Sequence, residues 1–197
     1  MVSEDTILAK GKLVFLRDHL PSDVDPYLRW QFSGEWRRFD APWEESEFST
    51  MTPEEIEAFR ERSLASRQKE LDLPRKMAVI VSIEGKPLGW VNRYAKKDYP
   101  DVWYVGIDIC EDDYLGRGFG TEALGLWIDY LFSHSDVHRI GLETWSFNPR
   151  MMRAAEKAGL VYEGAERELR EWQGQRLDFV LYGLLRREWL AGRDRGG

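Results

Sequence analysis

The sequence predicts an α/β protein built on one mixed sheet with helices on both faces, and two patterns carry that expectation. Runs of β-branched and aromatic residues alternate with segments of helical period in the order β-α-α-β-β-β-α-β-α-β-β. The strand-rich middle of the chain then ends in a glycine-rich turn, directly before an amphipathic helix.

In chain order, "KLVFLRD" (12–18) reads as the first strand, and "SDVDPYLRWQF" (22–32) as a helix that tolerates Pro26 in its first turn. Residues 34–50 are aromatic and charged without a period, which predicts a loop. A second helix over 52–70 starts with Thr52 as cap, Pro53 at the first position and Glu55 at capping-box spacing. Strands follow at 76–83 and 87–95, joined by a turn at Gly85, and at 102–110. The helix at 119–132 places Leu124, Trp127, Ile128 and Leu131 on one face. A strand at 138–147, a helix at 149–158 closed by Gly159, and two strands around Gln173-Gly174 complete the order, the last strand running into a short helix.

Composition narrows the function classes. With 197 residues, 43% hydrophobic and 32% charged, the chain predicts a single domain over 1–197 with a sizeable core. No segment approaches the roughly 20 apolar residues of a membrane span, and "MVSEDTILAKGK" lacks a signal-peptide pattern. A cytoplasmic protein with no membrane partner is the expectation. The single cysteine, Cys110, excludes an internal disulfide framework, and the three histidines (His19, His134, His138) show no metal-ligand spacing. A net charge of −7 without a basic stripe argues against nucleic-acid binding.

The stretch "GRGFGT" (116–121) asks for a chemical reason. It lacks the G-x-G-x-x-G spacing of a dinucleotide fold, and no Gly-Lys-Ser/Thr follows. What remains is a strand, a loop of exposed N–H groups and a helix N-terminus, a geometry that holds a pyrophosphate through free amides and the helix dipole. Glycine serves there because a Cβ would keep the anion away. A plain strand-to-helix turn satisfies the same three glycines.

Further motifs follow in order: "HRIGLETWSFN" and "AAEKAGL" after "GRGFGTEA". From about Lys76 to Trp189 this set resembles the GNAT superfamily of acetyl-CoA-dependent N-acetyltransferases, in the branch of the ribosomal-protein N-terminal acetyltransferases. The resemblance implies a mostly antiparallel twisted sheet of about seven strands, with a V-shaped splay between strands 102–110 and 138–147. Residues 76–189 would bind acetyl-CoA and residues 20–72 would cover the acceptor. Backbone groups near Ile109 and Cys110 would meet the pantetheine arm, and an N–H near Cys110 would stabilise the intermediate's oxyanion. Amides of Gly116, Arg117, Gly118, Phe119, Gly120 and Thr121 would hold the pyrophosphate, with Asn148 and Met151 contacting the cofactor from the other side. Asn148 also suits a helix cap before Pro149.

Two departures bear on catalysis. Many relatives carry a tyrosine at the position of Ala155, and others a serine at that of Met151, to protonate the departing thiolate. Here neither is present. An unprotonated thiolate costs only about 2 kcal/mol at pH 7, so it can leave unaided or through water. For the base that takes the amine's proton, the resemblance points to Glu143, with Asp108 in reserve; the competing reading of Glu143 is an ion-paired carboxylate. Glu122, in a first helical turn, reads as structural. Cys110 reads as a small hydrophobe and not as an acetyl carrier. Trp30, Trp36, Asp40 and Trp43 combine aromatic faces and a carboxylate in the acceptor region, which suits an ammonium.

The expected reaction moves acetyl from acetyl-CoA directly to a primary amine, most of all a protein N-terminal amine. A polyamine or aminoglycoside is the alternative, and a catalytically silent acyl-CoA-binding regulator is the reading from another class. A homodimer is left open.

Overall fold

In a computed structural model, which describes residues 7–44, 47–66 and 73–194, the alternating runs become eight strands. They are β1 (Ile7–Lys10), β2 (Val14–Arg17), β3 (Met77–Ser82), β4 (Pro87–Lys96), β5 (Tyr99–Ile109), β6 (Arg139–Trp145), β7 (Val161–Trp172) and β8 (Gln175–Leu185). One sheet holds them in the order β1-β2-β3-β4-β5-β6-β8-β7. Every neighbouring pair is antiparallel except β5–β6. The count exceeds the expected seven because the strand read at 12–18 is half of a hairpin. Gly11 N donates to Val14 O at 2.8 Å and reverses the chain between β1 and β2.

Five α-helices accompany the sheet among the described residues: α1 (Val24–Phe32), α2 (Pro53–Ser66), α3 (Phe119–Ser133), α4 (Pro149–Lys157) and α5 (Arg186–Asp194). The capping box of α2 forms, with Thr52 N donating to Glu55 Oε2 at 2.8 Å and Glu55 N to Thr52 Oγ1 at 3.2 Å. The expected end of that helix, 67–70, lies outside the described residues. Entry to α1 is fixed by Asp23, whose carboxylate accepts from Leu20 N at 2.7 Å and from both terminal nitrogens of Arg17. The predicted loop 34–50 contains two 3-10 turns, Glu35–Arg38 and Glu47–Ser49.

The two faces of the sheet do different work. Strand residues alternate in direction, so Val14, Leu16, Ile80, Leu88, Val91, Ile140 and Leu142 point to one side and are buried. There they meet the predicted face of α3, since Leu124, Trp127, Ile128 and Leu131 are all at most 1% exposed. Ala155 of α4 joins the same core. On the opposite side Trp90 of β4 packs against Tyr27, Trp30 and Trp36, which brings α1 and the 34–50 segment down onto that face. Glu122 clamps α3 to the β1–β2 turn, accepting from Lys12 N, Leu13 N and Val14 N at 2.9, 2.7 and 2.9 Å.

Strands β5 and β6 pair only where Val102, Trp103 and Tyr104 meet Arg139, Ile140 and Gly141. Past that point β6 stays with β8 as far as Trp145 and Phe179, while β5 stays with β4 as far as Ile109 and Gly89. The C-terminal halves of β5 and β6 therefore part, leaving backbone groups of β5 without a strand neighbour on that side. No helix among the described residues is long and apolar enough to cross a membrane.

Candidate active site

Two cavities open from this gap, one toward each face of the sheet. The first is walled by Ile107 and Ile109 of β5, by the loop from Tyr114 to Thr121, and by Asn148, Met151 and the basic residues of α4. The second, enclosing about 540 Å³, is walled by Asp40 and Ala41, by Asn92 and Tyr94 of β4, and by Asp108, Glu143 and Trp145. Phe39, Ile107, Asp108, Asn148 and Met151 line both. The two cavities thus meet at the splay.

The glycine loop has the geometry its composition predicts. Gly116 has φ 70° and Gly118, the residue before the first turn of α3, has φ 92°, both in the left-handed region. No side chain caps α3, so the first-turn N–H groups at Phe119, Gly120 and Thr121 are left for a ligand or solvent. A Cβ on Gly116 would point into open space. Arg117 donates to Asp113 O at 3.0 Å and lies beside the Tyr114 and Phe119 rings, so it braces the loop.

Across the cavity, Asn148 Oδ1 accepts from Met151 N at 3.1 Å and caps α4, fixing its own side chain at the wall. Arg150, Arg153 and Lys157 follow at helical spacing on the same side of α4 and line the cavity. This basic row was not singled out in the sequence, where three cations inside "RMMRAAEK" look like an ordinary solvated face. Only its position opposite the glycine loop gives it meaning. Arg150 is ion-paired with Glu35 at 2.9 Å, so free amides, a helix N-terminus and the cations of Arg153 and Lys157 make an anion-binding wall.

The backbone assignment at the end of β5 needs correcting for Cys110. Its N–H donates to Leu88 O at 2.7 Å, so it faces β4 and is spent. Bonding direction alternates along an antiparallel strand, and so the backbone groups of Ile107 and Ile109 face the gap. Any N–H offered to the pantetheine arm or to an oxyanion from this strand comes from those residues. The Cys110 thiol is buried, with its pKa pushed up by that burial and by the charge of Asp108, which suits a packing role.

The carboxylates separate into two kinds. Glu143 is ion-paired with Lys96 Nζ, and the Tyr94 hydroxyl sits 3.4 Å from it. Asp108 is half-buried at the junction of the two cavities, where burial and then the nearby charge of Asp40 push its pKa up to about 8, against a hydrogen bond from Trp90 that lowers it. Asp40, at the acceptor side, is raised by burial of its inner side and by Glu44. Of the two candidate bases, Glu143 is paired with a lysine of the protein's own, and Asp108 stands where the two cavities meet.

The tryptophans separate as well. Trp30 is 3% exposed and its indole N–H donates to Glu111 Oε1 at 2.7 Å, so it is a packing residue and not an acceptor contact. Trp36 is mostly buried against Trp90 but reaches the first cavity. Trp43 stacks edge-on to Trp145 at 4.8 Å and carries Arg170 over its ring at 4.4 Å, so it buttresses a wall residue and does not itself line either cavity. Phe39, Asn92 and Trp145 line the second cavity and carried no signal in the sequence. No cluster of metal-binding side chains occurs among the described residues.

A splayed β5–β6 pair, with a glycine loop opening onto a helix at its mouth, defines the GNAT class of folds, and the sequence agrees. Residues 14–161 match the acetyltransferase (GNAT) domain, and the chain belongs to that family. Among its relatives are the "Aminoglycoside N(6')-acetyltransferase type 1" of Klebsiella pneumoniae, 28% identical over 95 residues, and the "Putative ribosomal N-acetyltransferase YdaF" of Bacillus subtilis (strain 168), 30% identical over 102 residues. The first match covers 43% of this chain and 47% of that protein, the second 52% and 51%. The chain thus spans about half the length of these curated relatives. Among solved structures, the spermidine N-acetyltransferase from Vibrio cholerae in complex with CoA and spermine superposes with a TM-score of 0.66. It covers 90% of this chain and 98% of that one at 19% identity, a likeness of fold.

Proposed function

We propose that the protein is an acetyl-CoA-dependent N-acetyltransferase acting on a primary amine, with Asp108 as the base. The observation that carries this reading is the meeting of an anion-binding cavity and a carboxylate-lined cavity at Asp108, Asn148 and Met151. Acetyl-CoA supplies the activated acetyl group. The glycine loop and the α4 cations hold its phosphates, Asn148 and Met151 border its arm, and the cleft-facing N–H groups of β5 steady the thioester oxygen.

In this reading the amine enters from the opposite side as an ammonium, past Asp40, and meets the ionised form of Asp108. Asp108 takes one proton from it, the freed lone pair attacks the thioester carbon, a C–N bond forms, the C–S bond breaks to release thiolate, and the second proton on the nitrogen passes through water to that thiolate. No side chain of tyrosine or serine type stands at Ala155 or Met151, so the thiolate leaves unaided or takes a proton from water. A base with a pKa of about 8 is nearly matched to an α-amine at about 7.8, and lies over two units below a lysine-like amine at about 10.4. The partial likeness to a putative ribosomal N-acetyltransferase supports a protein N-terminal amine as the acceptor. The named activities of the relatives keep an aminoglycoside or polyamine amine as the second reading.

The test is turnover. Purified protein with acetyl-CoA should release CoA thiol in the presence of a peptide with a free α-amine, and less readily with spermidine or kanamycin. CoA binding without turnover on any of the three would support the silent-regulator reading instead.

A further inference from the structure

The acceptor cavity contains a polar group that the fold does not use. Asn92 lies on β4 directly opposite Gly106 of β5, and the next pair on the same face is Trp90 with Asp108. Its Oδ1 is buried and has no hydrogen-bond partner, yet the residue lines the acceptor cavity. Buried acceptors are almost always paired, because leaving one unpaired costs about 1–3 kcal/mol. A stable core position would be expected to carry an aliphatic residue here.

The geometry around it explains how the group is kept available. Gly106 has no side chain, and a Cβ there would fall 2.8 Å from Asn92 Oδ1. The carboxamide rests on that bare stretch of backbone. No hydrogen bond fixes which way the planar group faces, so the carboxamide can turn to present Oδ1 to the cavity, with Nδ2 resting on the Gly106 backbone in its place. Diagonal neighbours on one sheet face stand about 7–8 Å apart at Cα. An amine held at Asp108 therefore places the atoms a few bonds along its own chain beside Asn92.

The geometry points to Asn92 as an acceptor-binding residue that selects amines carrying a second hydrogen-bonding group close to the reacting nitrogen. This rests on the reading of the second cavity as the acceptor site. A peptide N-terminus with its first amide N–H belongs to that class of ligand, as does an amino sugar with neighbouring hydroxyls. Such a group gives the oxygen a partner that the fold does not supply.

The test uses Asn92→Leu, close in size but without polar atoms, and Gly106→Ala, whose new methyl group pushes the carboxamide into the cavity. Wild-type turnover with a free α-amine peptide, spermidine and kanamycin is measured first; absence of turnover on all three removes the acceptor-site reading and this inference together. With the best of these acceptors, Asn92→Leu should lower kcat/KM about tenfold or more, mainly through KM, with the KM for acetyl-CoA unchanged. Gly106→Ala should raise the same acceptor KM. The melting temperature of Asn92→Leu should hold or rise, because a structural asparagine would lower it and a binding one would not. Unchanged acceptor kinetics, or a clear fall in melting temperature, overturns the proposal.

Discussion

Lys96 Nζ, at the end of β4, is ion-paired with the Glu143 carboxylate on β6, and it also lies 4.3 Å over the Tyr104 ring. The pairing spans the outer edge of the acceptor cavity and commits Glu143 to a cation that the protein supplies itself. Asp108, one strand away, has no such partner among the described residues and keeps a raised pKa. The division predicts unequal mutants. Asp108→Asn should lower kcat by about 10²–10⁴, the usual cost of losing a general base. Glu143→Gln should cost less than tenfold. Steady-state kinetics at pH 7 with a fixed acceptor decide between them, and the reverse ranking would restore Glu143 as the base.

The raised pKa of Asp108 also sets two pH dependences. As a base it must be ionised, so kcat/KM should climb as pH rises toward about 8, and Asp108→Asn should flatten that limb. Stability runs the other way. Between the ordinary value of 3.8 and about 8 the folded protein holds a proton at Asp108 that the unfolded chain has lost. Folding is therefore favoured at the acid end of this window, and the contribution disappears as pH rises through about 8. Melting temperatures of the wild type and Asp108→Asn across pH 5–9 check this: the difference should widen in favour of the mutant as pH rises.

A matched pair of substitutions tests the phosphate loop. Gly116 is left-handed and faces open space, a setting that asparagine and aspartate tolerate better than most residues. Gly116→Asn and Gly116→Asp differ by one charge at nearly constant shape. Calorimetric titration with acetyl-CoA should show a much larger loss for the aspartate, and the excess should shrink as salt is raised. Equal affinities in the two mutants would mean that no phosphate approaches this loop.

Trp30 should behave as core. Its burial and its bond to Glu111 predict that Trp30→Ala destabilises the fold by about 3–5 kcal/mol, measured by urea unfolding. Trp43→Ala should instead act through Trp145, raising the acceptor KM while the affinity for acetyl-CoA holds. A Trp30→Ala variant with wild-type stability would contradict the packing assignment.

The sequence carried the fold wherever a residue's own chemistry determines local geometry. Thr52 and Glu55 form the capping box that their spacing predicts, Gly118 takes the left-handed conformation before α3, and the apolar face of α3 is buried. What it could not carry are properties made by distant partners. Glu143 reads as a base until Lys96, 47 positions away, is seen beside it. Asp108 reads only as the reserve base until Asp40 and the cavity walls are seen around it. Asn92 gives no signal at all, because the lack of a partner for its oxygen is visible only once β5 is laid alongside β4. The hairpin at Gly11 was hidden because β1 is four residues long and carries a lysine at its end.

One reaction is central to the proposed function: acetyl passing from CoA to an amine with its proton taken by Asp108. Its most direct measurement is CoA-thiol release, with mass-spectrometric detection of the acetylated peptide, for wild type and Asp108→Asn across pH 6–9. The account predicts an N-acetylated product whose rate of formation by the wild type rises toward pH 8, and a mutant slower by at least about a hundredfold at pH 7 that still binds acetyl-CoA. A mutant matching the wild type across that range would contradict it.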